Sequence, residues 1–112
     1  MHVDIRQKGD VLVVDLEGKL VRGVGDLVLR ETIDQLLADD WTNLLLNLSG
    51  VTSIDSSGVG ELVAAHRLCD RFGGQLKLLR LSHKVKETLG LSLLLPVFEI
   101  FDDEAEGVAS FS

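Results

Sequence analysis

Hydrophobic and polar positions alternate from the start of the chain. Val3 and Ile5 stand against Asp4 and Arg6, the period of two that predicts a half-buried strand. Lys8-Gly9-Asp10 supplies a turn. Val11 to Leu16 predicts a second strand, paired with the first as a hairpin and closed by Glu17-Gly18-Lys19. Residues 20–25 lose any period and read as a loop. Asp26 is then expected at the N-terminus of a helix whose apolar face is Val28, Leu29, Thr32, Ile33, Leu36 and Leu37. Leu27 falls outside that stripe. With Val21 and Val24 it forms a candidate contact patch.

Asp39-Asp40-Trp41 closes this helix, and Leu44 to Leu48 predicts a third strand. Its near-continuous apolar run implies burial on both faces, as in a central strand of an α/β sheet. A second, well-buried helix is expected over about Val59 to Phe72, stopped by Gly73-Gly74. Gln75 to Leu81 predicts a fourth strand. Ser82 caps a short helix from His83 to Leu89, which Gly90 stops. Val97 to Phe101 predicts a last strand after Pro96, and Asp102-Asp103-Glu104 opens a terminal helix. The order ββαβαβαβα predicts an α/β fold, a mixed sheet of four to five strands flanked by helices.

Composition narrows the class. The 112 residues predict one domain with a modest core, and 46% hydrophobic residues suffice to fill it. The formal charge of -7 argues against general nucleic-acid binding. No apolar run approaches the ~20 residues of a membrane span, so no direct membrane insertion is expected. Met1 to Asp4 lacks a signal pattern. The lone Cys69 cannot form an internal disulfide and fits a reducing compartment. A cytoplasmic protein is expected.

The stretch Ile54-Asp55-Ser56-Ser57-Gly58 holds the candidate chemistry. It joins a buried strand to a helix start, where unpaired backbone N–H groups and the helix dipole favour a capping oxygen or a phosphate. Ser56 and Ser57 are both placed to cap. A nucleophilic serine would need a base and a third group to orient it. His2, His66 and His83 fall at a terminus, in a helix and at a helix start, and no Gly-x-Ser-x-Gly frame is present. No catalytic residue is therefore expected. No cofactor or metal is expected either, because no metal-ligand spacing or phosphate loop occurs. Arg67, Arg71, Lys77, Arg80, Lys84 and Lys86 form a basic set that could meet an acidic partner or a nucleotide phosphate.

Taken in order, the motifs resemble the STAS domain family of bacterial anti-sigma factor antagonists, across nearly all of the chain. The resemblance rests on Leu16-Glu17-Gly18-Lys19-Leu20, the strand Leu45 to Gly50, the segment Ile54 to Gly60, Gly73-Gly74 and Leu89-Gly90-Leu91. It implies a single STAS domain over 1–112 and no catalysis. It also implies a partner, an anti-sigma factor with serine kinase activity. That kinase would phosphorylate Ser56 within a frame of Asp55, Ser57 and Gly58, releasing the antagonist until a PP2C-type phosphatase resets it. Sigma-factor-dependent transcription would be switched accordingly. The family commonly carries an acidic residue, leucine and aspartate after the glycine, whereas Lys19, Leu20 and Val21 stand here. Lys19, Val21, Arg22, Val24 and Leu27 are therefore the candidate partner-contact loop. A non-switching STAS subunit of a transporter or signalling assembly is the alternative.

Overall fold

The structure, a computed structural model, describes residues 1–111. Five strands form one sheet in sequence order: β1 (His2–Lys8), β2 (Val11–Leu20), β3 (Asn43–Ile54), β4 (Gln75–Leu79) and β5 (Ile100–Phe101). β1 runs antiparallel to β2, and every later pairing is parallel. The parallel strands are joined by α1 (Gly25–Ala38), α2 (Ser56–Arg71) and α3 (His83–Leu91), and α4 (Glu104–Ala109) closes the chain. The mixed five-stranded sheet and the order ββαβαβαβα agree with the sequence.

Side-chain alternation divides the core. Leu12, Val14, Leu16, Leu44, Leu46 and Leu48 face α1, α2 and α3, whose Leu29, Ile33, Val59, Leu62, Val85 and Leu89 complete one cluster. Val11, Val13, Leu45 and Leu79 face the other way, onto Phe101, Val108 and Phe111. Leu44, Leu45 and Leu46 are fully buried because helices cover both faces of β3.

Several boundaries differ from the sequence reading. β2 does not stop at Glu17-Gly18-Lys19 but continues to Leu20. Gly18 takes a φ of +116°, and the register shifts on either side of it, so a bulge carries the strand onward. The polar segment Ser49 to Ser53 is likewise strand, since this extension of β2 pairs with it out to Leu20–Ile54. α2 begins at Ser56, three residues before the predicted Val59. α1 begins at Gly25, and Asp26 lies within its first turn, accepting from the amides of Gly23 (2.9 Å) and Leu27 (2.7 Å).

Near the C-terminus, Gly90 does not stop α3. The helix runs to Leu91 and is ended by Leu93 in the left-handed region, φ +59°. That conformation costs a non-glycine residue about 1–2 kcal/mol. The predicted strand from Val97 is replaced by a 3₁₀ turn, Leu95–Val97, because Pro96 lacks an N–H and fits a first helical turn. Only Ile100 and Phe101 remain as strand.

The start of α4 is tied to the sheet by an arginine. The Arg6 guanidinium donates to both oxygens of Asp15 (2.7 and 3.0 Å) and to both of Glu104 (3.0 and 2.6 Å), while Asn47 donates to Asp15 at 2.8 Å. Arg6 holds both carboxyls below their usual range. Depressed carboxyl values mean stability that is present above the unfolded values near ~4 and lost as pH falls through the folded ones. Arg6→Gln is expected to cost about 1 kcal/mol at neutral pH, a modest figure because the group is partly exposed. Urea unfolding at pH 7 and at pH 3 checks this, and the gap to wild type should close at the lower pH.

Candidate functional site

The site is built where three chain segments meet: the end of β2, the start of α1 and the start of α2. The bulged extension of β2 carries Leu20 beside Ile54, so both strands end together. The chain then turns into α2, and Asp55 takes the cap position with an extended backbone (φ -124°, ψ -174°). Its Oδ1 accepts from the Gly58 amide at 3.0 Å. The serines therefore do not cap the helix, as the sequence had suggested. Ser56 and Ser57 are its first two residues. Ser56 is exposed and Ser57 half-buried, while Gly58 is buried.

Asp55 does a second thing. Its Oδ2 accepts from the Arg22 amide at 3.0 Å, and its own amide donates to the Leu20 carbonyl at 3.4 Å. One carboxylate thus ties the candidate phosphorylation segment to the candidate partner-contact loop. The Arg22 and Gly58 amides together hold this carboxyl below the usual range. It stays ionised at neutral pH, so the positive end of α2 is already occupied by a negative group.

The loop is a short turn, with the Val24 amide donating to the Val21 carbonyl at 3.1 Å. Lys19 lies at the exposed end of β2 rather than in the loop, Val21 is half-buried and Arg22 is exposed. Val24 and Leu27 are each 46% exposed. Two apolar side chains therefore face solvent beside the Ser56 segment, on the side that Asp55 links to it.

Two glycines make the junction possible. A Cβ on Gly58 would lie 2.1 Å from the Leu20 carbonyl oxygen, and one on Gly25 would lie 2.1 Å from that of Lys19. Both helix starts rest directly on the end of β2. The sequence reading included Gly58 in the frame but missed Gly25 and the capping role of Asp55. An aspartate three residues before the third helical residue is a cap pattern in itself, so Asp55 was findable. Gly25 was not, because its constraint comes from β2.

Other candidates separate from this site. His2, His66 and His83 lie near Asp4, Asp70 and Glu87 at 3.1, 3.9 and 3.5 Å, and among the described residues none of them bonds Ser56. Burial pushes the Cys69 thiol up to about 12, so it is unreactive. The basic set is broken up by Lys77, which is buried. Its ammonium donates to the Ser110 carbonyl at 2.9 Å, pairs with Glu99 at 2.8 Å and sits over the Phe111 ring at 4.7 Å. Lys77 is a core cation and offers nothing to a nucleotide phosphate.

A mixed sheet with helices on both faces and a capped Asp-Ser-Ser-Gly helix start describes a small α/β domain. Residues 2–107 match the STAS domain model, and the chain belongs to that family. It is similar to an anti-sigma F factor antagonist of Paenibacillus polymyxa, 23% identical over 96% of this chain and 92% of the relative. It is also similar to an anti-sigma-B factor antagonist of Bacillus subtilis, 28% identical over 96% and 97%. Among solved structures, a candidate anti-sigma factor antagonist from Thermotoga maritima superposes with a TM-score of 0.88 at 25% identity, covering 97% of this chain and 93% of that one. The phosphorylated form of the Bacillus cell fate determinant SpoIIAA superposes at 0.75 with 21% identity, over 99% and 100%, and supports the fold.

Proposed function

We propose that this protein is an anti-sigma factor antagonist that binds an anti-sigma factor with serine kinase activity and is released when Ser56 is phosphorylated. The observation that carries this reading is the position of Ser56. Ser56 stands exposed as the first residue of α2, beside the Arg22 turn and the first turn of α1, which present Val24 and Leu27. An acceptor hydroxyl needs access, and a binding surface needs exposed apolar side chains next to it. The similarity to two anti-sigma factor antagonists supports an anti-sigma factor as the partner.

The switch follows from charge. A phosphate brings about -1.5 to -2 charge. It would stand next to Asp55, which already takes the α2 amides and remains ionised. The helix end therefore has little left to neutralise it, and the phosphate projects its charge toward the partner. No side chain in this scheme catalyses anything in the antagonist itself. Ser56 is acted upon, and a PP2C-type phosphatase of the same pathway restores it. Asp55, Ser57 and Gly58 hold the geometry, while Arg22, Val24 and Leu27 contact the kinase.

The test is incubation with the cognate anti-sigma factor and ATP, followed by intact mass measurement. Wild type should gain one phosphate and Ser56→Ala none. If wild type gains none, the switch fails and the non-switching reading replaces it. A gain that persists in Ser56→Ala moves the site to another residue, first of all Ser57.

A further inference from the structure

β1 stands at the edge of the sheet, with β2 as its neighbour on one side only. It runs for seven residues without proline, and its pairing with β2 shows no register shift. Proline, a bulge or a very short strand are common ways of closing an edge. β5, at the other edge, is closed in the last way, with Ile100 and Phe101 alone. β1 has only charge to protect it, and its charges carry a pattern.

The register fixes which backbone groups face outward. Lys8 and Val11 close the two-residue turn Gly9-Asp10, and the pair that closes such a turn is a hydrogen-bonded one. Every second pair follows suit, so the amides and carbonyls of Arg6 and Asp4 also point into β2. Those of Val3, Ile5 and Gln7 point away from the sheet. The side chains of Val3 and Ile5 stand on the α1 face, where they line a groove of about 420 Å³ with Glu31, Thr32, Gln35 and Leu36. Ile5 is 44% exposed there. Asp4 and Arg6 stand on the opposite face.

We infer that β1 pairs antiparallel with β1 of a second copy about a two-fold axis at Ile5, joining two sheets into one. In this register Ile5 meets Ile5, Val3 meets Gln7 and Asp4 meets Arg6. The outward amides and carbonyls of Val3, Ile5 and Gln7 all find partners. Asp4 and Arg6 fall in the pairs without backbone hydrogen bonds, where side chains approach most closely and opposite charges attract. Symmetry makes that pair twice. Arg6 is already held in place by Asp15 and Glu104, and those bonds leave one Nη1 hydrogen for a further carboxylate. Other registers are worse. Moving the axis by one position sets Asp4 against Asp4 or Arg6 against Arg6, like charges in the closest pair. Moving it to Gln7 sets Arg6 against Lys8, and moving it to Val3 shortens the overlap to residues 1–5. The charge pattern of β1 thus complements itself in the one register that also aligns its outward backbone groups over the full strand.

The joined sheet leaves the Ser56 site open. Ser56 follows the C-terminal end of β3, which runs antiparallel to β1. The two-fold axis reverses every strand of the second copy, so the two Ser56 sites lie at opposite ends of the joined sheet. Each can meet its own partner. The inference does not depend on phosphorylation.

The test is sedimentation equilibrium of the full chain from about 10 μM to about 1 mM, with amide hydrogen exchange measured at both ends of that range. Dimer should accumulate as concentration rises, and the amides of Val3, Ile5 and Gln7 should become protected with it. Ile5→Lys places two lysines on the axis, and Asp4→Lys sets lysine against Arg6 twice. Both positions are exposed, so the thermal midpoints should stay near that of wild type. Each variant should weaken the dimer at least about tenfold. A chain that stays monomeric up to about 1 mM would overturn the proposal. So would a dimer that both variants leave unchanged, since another face would then hold it. Protection of the same three amides by an unrelated extended peptide of alternating valine and threonine, with the chain itself monomeric, would overturn it in favour of a strand from a different protein.

Discussion

Gly58→Ala is expected to destabilise the protein by about 2–3 kcal/mol, a large loss for one methyl group. The new Cβ would lie 2.1 Å from the Leu20 carbonyl oxygen and 2.9 Å from Leu20 Cγ. Backbone cannot rotate away as the tip of a side chain can. Either α2 lifts off the end of β2 or β2 bends, and each breaks the meeting of Asp55 with Arg22 and Gly58. Alanine does favour the helix by up to about 1 kcal/mol over glycine, and the contact outweighs that gain. Gly60 supplies the contrast. It lies two residues further along α2, exposed, and a Cβ there meets nothing within 4 Å. Gly60→Ala should therefore stabilise by up to about 1 kcal/mol. Urea unfolding of both variants at neutral pH gives the comparison. If Gly58→Ala were as stable as Gly60→Ala, the start of α2 would not rest on Leu20.

Ser56→Asp is expected to keep its fold and to lose at least about 30-fold in affinity for the cognate anti-sigma factor. That factor corresponds to the ~2 kcal/mol lower bound for an unpaired charge held in an interface. An acidic residue in the first turn is compatible with the helix dipole, so far-UV circular dichroism and the thermal midpoint should change little. Ser56→Ala should bind as wild type does. Titration calorimetry of the three proteins separates the cases. Equal affinity of Ser56→Asp and wild type would show that charge at this position does not control binding. A loss shared by Ser56→Ala would show that the hydroxyl itself makes a contact.

These two residues also mark how far the sequence could be read. The Asp-Ser-Ser-Gly segment after an apolar strand was visible as a helix start, and the order of motifs pointed to the family. The assignment of caps was not, because Ser56 and Asp55 are both good capping residues and only the backbone at Asp55 decides between them. Lys77 shows the opposite error. Alternation places it on a face of β4, and exposure is the ordinary fate of lysine. α4 and the Phe101 and Phe111 rings cover that face and bury it instead.

β2 and β3 both run past the ends that local pattern predicts, for one reason. Glu17-Gly18-Lys19 looks like a strand end, and Ser49 to Ser53 looks like a loop. Each becomes strand only because the other lies beside it, with the bulge at Gly18 keeping the ladder in register. Pairing between residues more than thirty positions apart leaves no trace in local periodicity.

The sequence by itself determined the element order, the burial of Leu44 to Leu48 on both faces and the family, because periodicity and motif order are local properties. The tertiary structure decided that Asp55 rather than a serine caps α2, that its second oxygen holds the Arg22 loop, and that Gly25 and Gly58 must lack side chains. Those depend on the end of β2 arriving at the same point as two helix starts, a contact between segments far apart in the chain.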